Sequence, residues 1–79
     1  MKLRVLFFGA AYESTGSREI EIEVGEAGTV GVLVESLTRS FPRLASHKIV
    51  VSVNQEYASP EVAISGDDEI AIFTPVSGG

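Results

Sequence analysis

Few side chains in this 79-residue sequence are equipped for chemistry. There is no cysteine, which removes thiol nucleophiles, thiolate ligands and disulfides together. His47 is the only histidine. Hydroxyls such as Ser14, Thr15, Ser17, Ser52, Ser59, Ser65 and Ser77 therefore share one candidate base, and none of these serines sits in the glycine elbow of a nucleophile. Asp67-Asp68-Glu69 offers carboxylates to a hard cation but lacks the spread of oxygen ligands of a calcium loop, so it reads as a turn and no metal is expected. Glu19, Glu21 and Glu23 alternate with apolar residues, the pattern of a solvated strand face and not of an acid–base pair. Gly25-Glu26-Ala27-Gly28 lacks the lysine and full glycine pattern of a phosphate loop.

What remains is the carboxylate of Gly79, the last residue of Thr74-Pro75-Val76-Ser77-Gly78-Gly79. A carboxylate is a poor acyl donor because its oxygen leaves badly. Adenylation by a partner using ATP supplies a good leaving group, and a sulfur nucleophile then converts the acyl-adenylate into a thiocarboxylate. That chemistry requires a slim, extended end. Pro75 fixes one φ and donates no hydrogen bond, so a central strand should stop before it. Gly78 and Gly79 have no side chain to obstruct a narrow channel. Fully extended, six residues reach roughly 20 Å at about 3.3 Å each. Glycine-rich termini are also often incidental, so a plain interaction module stays open on the residues alone.

Composition narrows the field. One small domain is expected at this length. Eleven acidic residues face six basic ones, a net charge of −5, and Lys2, Arg4, Arg18, Arg39, Arg43 and Lys48 are scattered. A nucleic-acid surface shows the opposite sign, clustered; a basic protein partner suits this one better. The apolar start, Val5 to Phe8, is too short for a signal peptide or a membrane span, so a cytoplasmic location without membrane attachment is expected.

The elements that must position the tail follow from periodicity. Lys2 to Phe8 reads as a strand, with Leu3, Val5 and Phe7 on one face and Leu6 and Phe8 on the other, the mark of a central strand. Gly9 to Gly16 has room for one or two helical turns. Ser17 to Val24 alternates as a half-buried strand. Thr29 is placed to cap a helix in which Val30, Leu33, Val34, Leu37 and Phe41 recur at helical spacing, and Pro42 ends it. Arg43 to Lys48 reads as a connector and Ile49 to Val53 as a third strand. Asn54-Gln55-Glu56 is a turn, Tyr57-Ala58 a short return, and Val62 and Ile64 are small apolar anchors. Ser65-Gly66-Asp67-Asp68 turns the chain into a last strand, Glu69 to Phe73. This order predicts an α+β, ubiquitin-like β-grasp fold: a mixed sheet on one main helix, the first two strands antiparallel and the last strand parallel beside the first. Residues 1–73 form the domain and 74–79 the extended tail.

Three stretches carry a family resemblance: Val5-Leu6-Phe7-Phe8 followed by Glu13-x-x-Gly16, Val53-Asn54-Gln55-Glu56-Tyr57, and Ser65 through Gly79. Together they resemble the small, sulfur-carrying subunits of molybdopterin synthase across almost the whole chain, most specifically in the last fifteen residues. Tyr12 stands where a basic residue commonly precedes the glutamate, Asp68 adds an aspartate to the glycine–aspartate–glutamate pattern, and Thr74 replaces the first of two prolines. The resemblance implies that Gly79 is adenylated by a ubiquitin-activating-like adenylyltransferase, with ATP consumed there and no cofactor held. A sulfur-donating protein then supplies the thiocarboxylate. The tail enters the large subunit of the synthase, where sulfur passes to cyclic pyranopterin monophosphate, in a heterotetramer with two small subunits at the ends of a large-subunit dimer. Phe73, with Pro75 and Val76, is the expected apolar anchor, and Thr74, Ser77 and Gly78 complete the partner-binding stretch. Two rivals share the activation step: a thiamine-pathway sulfur carrier, which generally lacks the Phe73-x-Pro75-Val76-Ser77 approach, and a ubiquitin-like protein modifier.

Deleting Gly79 is expected to abolish sulfur loading while leaving the circular dichroism spectrum unchanged. A truncated chain that still acquires sulfur would exclude this chemistry.

Overall fold

The computed structural model describes residues 2–23 and 28–74. The elements run β1 (Lys2–Gly9), α1 (Ala10–Thr15), β2 (Glu19–Glu23), α2 (Val30–Ser40), a 3-10 helix (Pro42–Ser46), β3 (Val50–Val53), β4 (Glu56–Tyr57) and β5 (Glu69–Thr74). They build one sheet in the order β2-β1-β5-β3-β4. β1 pairs antiparallel with β2 and parallel with β5, while β3 runs antiparallel to β5. This is the β-grasp arrangement expected from the sequence, with β5 at the centre.

Register decides which side chains meet. Val5 lies beside Ile70, and Phe7 beside Ile72, which is also opposite Val51. With Leu3, these residues are buried. Above them, α2 contributes Val30, Leu33 and Leu37, the 3-10 helix Leu44, and the loop after β4 Ile64. Phe41 packs its ring edge-on against Phe7, centroids 6.1 Å apart. Leu44 is wholly buried, so the segment read as a connector is a structural plug. Pro42 does end α2, and its fixed φ then starts the next helical turn. Val62 is the other departure. It faces outward, and it is Ile64 that enters the core.

The start of α2 is held from two sides. Thr29 caps it, its hydroxyl accepting from the Val32 N–H at 3.3 Å. The Val30 and Gly31 N–H groups donate to the carbonyls of Val62 and Pro60, both at 2.9 Å. Pro60 lies so close that a Cβ on residue 31 would sit 3.3 Å from its ring and its carbonyl oxygen. Glycine 31, a weakness in helix propensity, is therefore a condition of this contact. At the end of α1, Gly16 takes the left-handed conformation (φ 74°) and returns its N–H to the Tyr12 carbonyl at 2.8 Å.

Asn54 ties the turn between β3 and β4 to the start of β5. Asn54 and Gln55 both have positive φ, 51° and 69°, and make the tight turn between β3 and β4. The Asn54 side chain donates to Asp68 Oδ1 at 2.9 Å and accepts the Glu69 N–H at 2.9 Å, while its own N–H donates to the Glu69 carbonyl at 2.8 Å. Asp68 Oδ2 in turn accepts the Ser65 N–H at 2.7 Å. Two sequence stretches that read as separate turns are one clasp that starts β5.

Two outcomes follow from these contacts. Leu44→Ala should lower unfolding free energy by about 2–5 kcal/mol in urea titrations, since the cavity is enclosed; a loss near zero would mean that the 3-10 helix is a surface connector. The Ser65 N–H and then the Asn54 amide hold the Asp68 carboxyl below the usual aspartate range. A lowered folded pKa stabilises above the unfolded value of about 3.9, and the contribution fades as pH falls through the folded value. Asp68→Ala should thus lower the urea midpoint at pH 7, with the gap to wild type closing below about pH 4. A gap unchanged in acid would show that the charge has no part in the clasp.

Candidate functional site

Helices cover only one side of the sheet. The same register that buries Val5, Phe7, Ile70 and Ile72 puts Leu6 beside Ala71, and Phe8 beside Phe73, on the uncovered side. Ser52 lies opposite Ala71 and Tyr57 opposite Ser52, which extends that row to the edge of the sheet. The Phe8 and Phe73 rings stack at 5.1 Å with 13° between their planes. Phe8 is 45 % exposed and Tyr57 83 % exposed. Leu6, Phe8, Ser52, Gln55, Tyr57, Glu69, Ala71 and Phe73 enclose a shallow depression of about 270 Å³. An apolar aromatic cluster left at this exposure is costly in water. Apolar residues on both faces of β1 gave the right strand order, but for the outer face the reason is an open surface and not a second layer.

Charge frames that surface on one side. Glu19, Glu21 and Glu23 lie exposed along β2, at the sheet edge opposite Tyr57. Arg4 reaches Glu19, Nε to Oε1 at 3.7 Å, with both side chains largely in water, so the pair adds little stability. The edge remains net acidic. Near α1, the Arg18 guanidinium lies 5.1 Å from the centre of the Tyr12 ring. A positive charge thus stands over residue 12, where the family pattern has a basic side chain; its source is six positions later in sequence, so spacing alone did not show it.

β5 delivers the chain to the edge of this surface. The strand is one residue longer than the sequence predicts: Thr74 pairs with Gly9 and is buried on the helix side, because nothing before Pro75 interrupts the ladder. Phe73 is half-buried, on the open face and outside the core cluster. Pro75, Val76, Ser77, Gly78 and Gly79 lie outside the described residues. His47 is exposed after the 3-10 helix, and among the described residues no group of His, Asp and Glu side chains is gathered to hold a metal.

Comparison with known proteins now bears on this geometry. The ThiS family profile matches residues 5–79. The chain belongs to the ThiS family. Within its reach, the molybdopterin synthase sulfur carrier subunit of Mycobacterium tuberculosis is 37 % identical, over 100 % of this chain and 99 % of the relative. Small archaeal modifier protein 1 of Haloferax volcanii is 34 % identical, over 91 % of this chain and 94 % of the relative. The crystal structure of SAMP1 from that organism superposes with a TM-score of 0.87 at 31 % identity, covering 100 % of both chains. A subunit 1 and 2 complex of the molybdopterin-converting factor from Helicobacter pylori contains a chain at TM-score 0.69 and 18 % identity, again over 100 % of both, a likeness of fold. Several further relatives carry the sulfur carrier subunit name.

In this ThiS fold Phe73 stacks on Phe8, a contact worth about 0.5–1.5 kcal/mol beyond the area it buries, and lies opposite Val50. Phe73→Ala should therefore cost less than Leu44→Ala in urea unfolding, about 1–2 kcal/mol, because a half-buried side chain leaves no enclosed cavity. A loss as large as that for Leu44→Ala would place Phe73 in the core.

Proposed function

We propose that this protein is a sulfur carrier and the small subunit of a molybdopterin synthase. The observation that carries the reading is the 37 % identity, from end to end, with the M. tuberculosis sulfur carrier subunit. The open Phe8–Phe73 face at the exit of β5 supports it. The Gly79 carboxylate attacks the α-phosphate of ATP on an activating enzyme and pyrophosphate leaves. A sulfide-equivalent nucleophile from a sulfur-donating protein then displaces AMP and forms the thiocarboxylate. The large synthase subunit takes up the tail; the thiocarboxylate sulfur bonds to cyclic pyranopterin monophosphate, and water then cleaves the acyl C–S bond, leaving the sulfur on the pterin and regenerating the carboxylate. No cofactor is retained between cycles, and the chemistry is cytoplasmic. No helix among the described residues is long and apolar enough to cross a membrane.

Each part of the chain has a separate task in this cycle. The domain body supplies recognition through the open face, with the stacked pair beside the exit of the tail and the acidic β2 edge turned toward a basic surface. The tail supplies reach and slimness. Carbonyl placement is set by the rigid end of β5 at one side and the partner's channel at the other. A second reading, transfer of the activated tail to protein lysines, has the likeness to small archaeal modifier protein 1 behind it. Both readings begin from one acyl-adenylate and differ in the nucleophile, sulfur or amine. The thiamine-pathway alternative is disfavoured by Phe73-Thr74-Pro75-Val76-Ser77 before the glycines.

Reconstitution tests the proposal. Thiocarboxylated protein mixed with the large subunit and cyclic pyranopterin monophosphate should yield molybdopterin and return the carrier to its carboxylate form; failure with an active large subunit would overturn it. In the same assay Phe73→Ala should weaken large-subunit binding by roughly 1–3 kcal/mol by calorimetry, the loss expected of a buried aromatic anchor. Gly78→Ala should act differently, leaving affinity nearly intact and slowing adenylation and transfer, because a misplacement of about 1 Å costs on the order of 100-fold in rate. Unchanged rates for Gly78→Ala would show that the tail's slimness is irrelevant.

A further inference from the structure

The turn between β3 and β4 has two central residues, Asn54 and Gln55, because Val53 pairs directly with Glu56. Such turns need positive φ at both places and favour glycine in the second. Gln55 holds that second place at φ 69°, a left-handed conformation that a long side chain adopts against its preference. Glycine would relieve the strain, so the turn itself gives no reason for glutamine. The Gln55 side chain is exposed and lines the depression on the open face, with Ser52 and Glu69.

Glu69 is half-buried and is the one charged residue lining that depression among the described residues. Arg4 lies beside it in register, yet sends its guanidinium to Glu19 at 3.7 Å. The ion pairs among the described residues are Arg4–Glu19 and Arg39–Glu35, and Glu69 is in neither. Asn54 holds the Glu69 backbone at both polar groups: its Oδ1 accepts the Glu69 N–H at 2.9 Å, and its N–H donates to the Glu69 carbonyl at 2.8 Å. One clasp therefore sets a carboxylate and the carboxamide next to Asn54 on the wall of the same depression. The rest of that wall is apolar, from Leu6, Ala71 and the rings of Phe8, Phe73 and Tyr57.

We infer that this depression receives one arginine side chain of the large synthase subunit. Its guanidinium is held by the Glu69 carboxylate and the Gln55 carboxamide oxygen, and its aliphatic stem lies on Leu6, Ala71 and the aromatic rings. A single carboxylate among apolar walls is the complement of a long basic side chain, which buries its stem and keeps a charged head. The net charge of −5 draws such a partner from a distance. Arginine suits the site better than lysine, because its planar fork can bond two acceptors at once and stack on the exposed Phe8 and Tyr57 rings. Covering the Glu69 carboxylate without a cation is costly, so the same group rejects partners that lack the arginine. The partner's identity rests on the carrier reading; the side chain that the depression takes is read from this chain.

Calorimetry of the full-length protein with the large subunit tests this. Glu69→Gln should leave the melting temperature unchanged and weaken binding about tenfold. Glu35→Gln, which removes the same charge from the exposed side of α2, should keep the affinity within about twofold. Gln55→Gly should raise the melting temperature by releasing the left-handed strain, and weaken binding several-fold, opposite signs that a purely structural role cannot produce. Among Arg→Gln substitutions in the large subunit, one should cost the same factor as Glu69→Gln and add nothing when the two are combined. Wild-type affinity in Glu69→Gln or in Gln55→Gly would overturn the inference, as would the absence of a coupled arginine or a coupled lysine in its place. Wild type that does not bind the large subunit at all would overturn the carrier reading and this inference with it, a result distinct from the others.

Discussion

The parallel pairing of β1 with β5 is the constraint on which the rest of this structure depends. It places the last strand of the sequence at the centre of the sheet, flanked by β1 and β3. It also sets one register with two consequences. On the helix side, Val5, Phe7, Ile70 and Ile72 join Leu33, Leu37 and Leu44 in the core. On the other side, Leu6, Phe8 and Phe73 meet around the buried Ala71 on the face that no helix covers. A slip of one residue would exchange the two sets, burying Phe8 and Phe73 and exposing the core residues. The open aromatic face and the core are therefore specified by the same hydrogen bonds.

That coupling ties the open aromatic face to the exit of β5. A loop-borne tail would inherit the motion of the loop. Here the tail leaves a strand paired on both sides, whose start is clasped by Asn54 and Asp68 and whose finish is paired to Gly9. The aromatic pair is built into the same two strands. In the carrier reading proposed above, recognition and delivery then share one base.

Much of this was legible in the sequence, and the misses have physical causes. Alternation in β2, the helical spacing from Val30 to Phe41 and the Thr29 cap gave the elements, because each is a local pattern. Gly31 is a poor helix former by propensity, and the close approach of Pro60 that favours it is a long-range contact that no helix propensity contains. Leu44 was lost inside a polar segment; its spacing of three from Phe41 was the available signal. The outer-face role of Leu6 and Phe8 could not be told from burial in a two-sided layer, because an apolar residue looks the same whether a second layer or a partner covers it. Arg18 over Tyr12 depends on how the chain folds back after Gly16. The tail itself was read from residue types and family resemblance, and its five last residues lie outside those the structure describes.

The central claim is that this fold presents a glycine carboxylate that carries sulfur. Intact-mass and fragmentation mass spectrometry, after incubation with the activating enzyme, ATP and a sulfur source, addresses it most directly. The account predicts a mass gain equal to one oxygen exchanged for one sulfur, located at Gly79. An unchanged mass, or a sole product in which Gly79 is joined to a lysine of another protein, would contradict it.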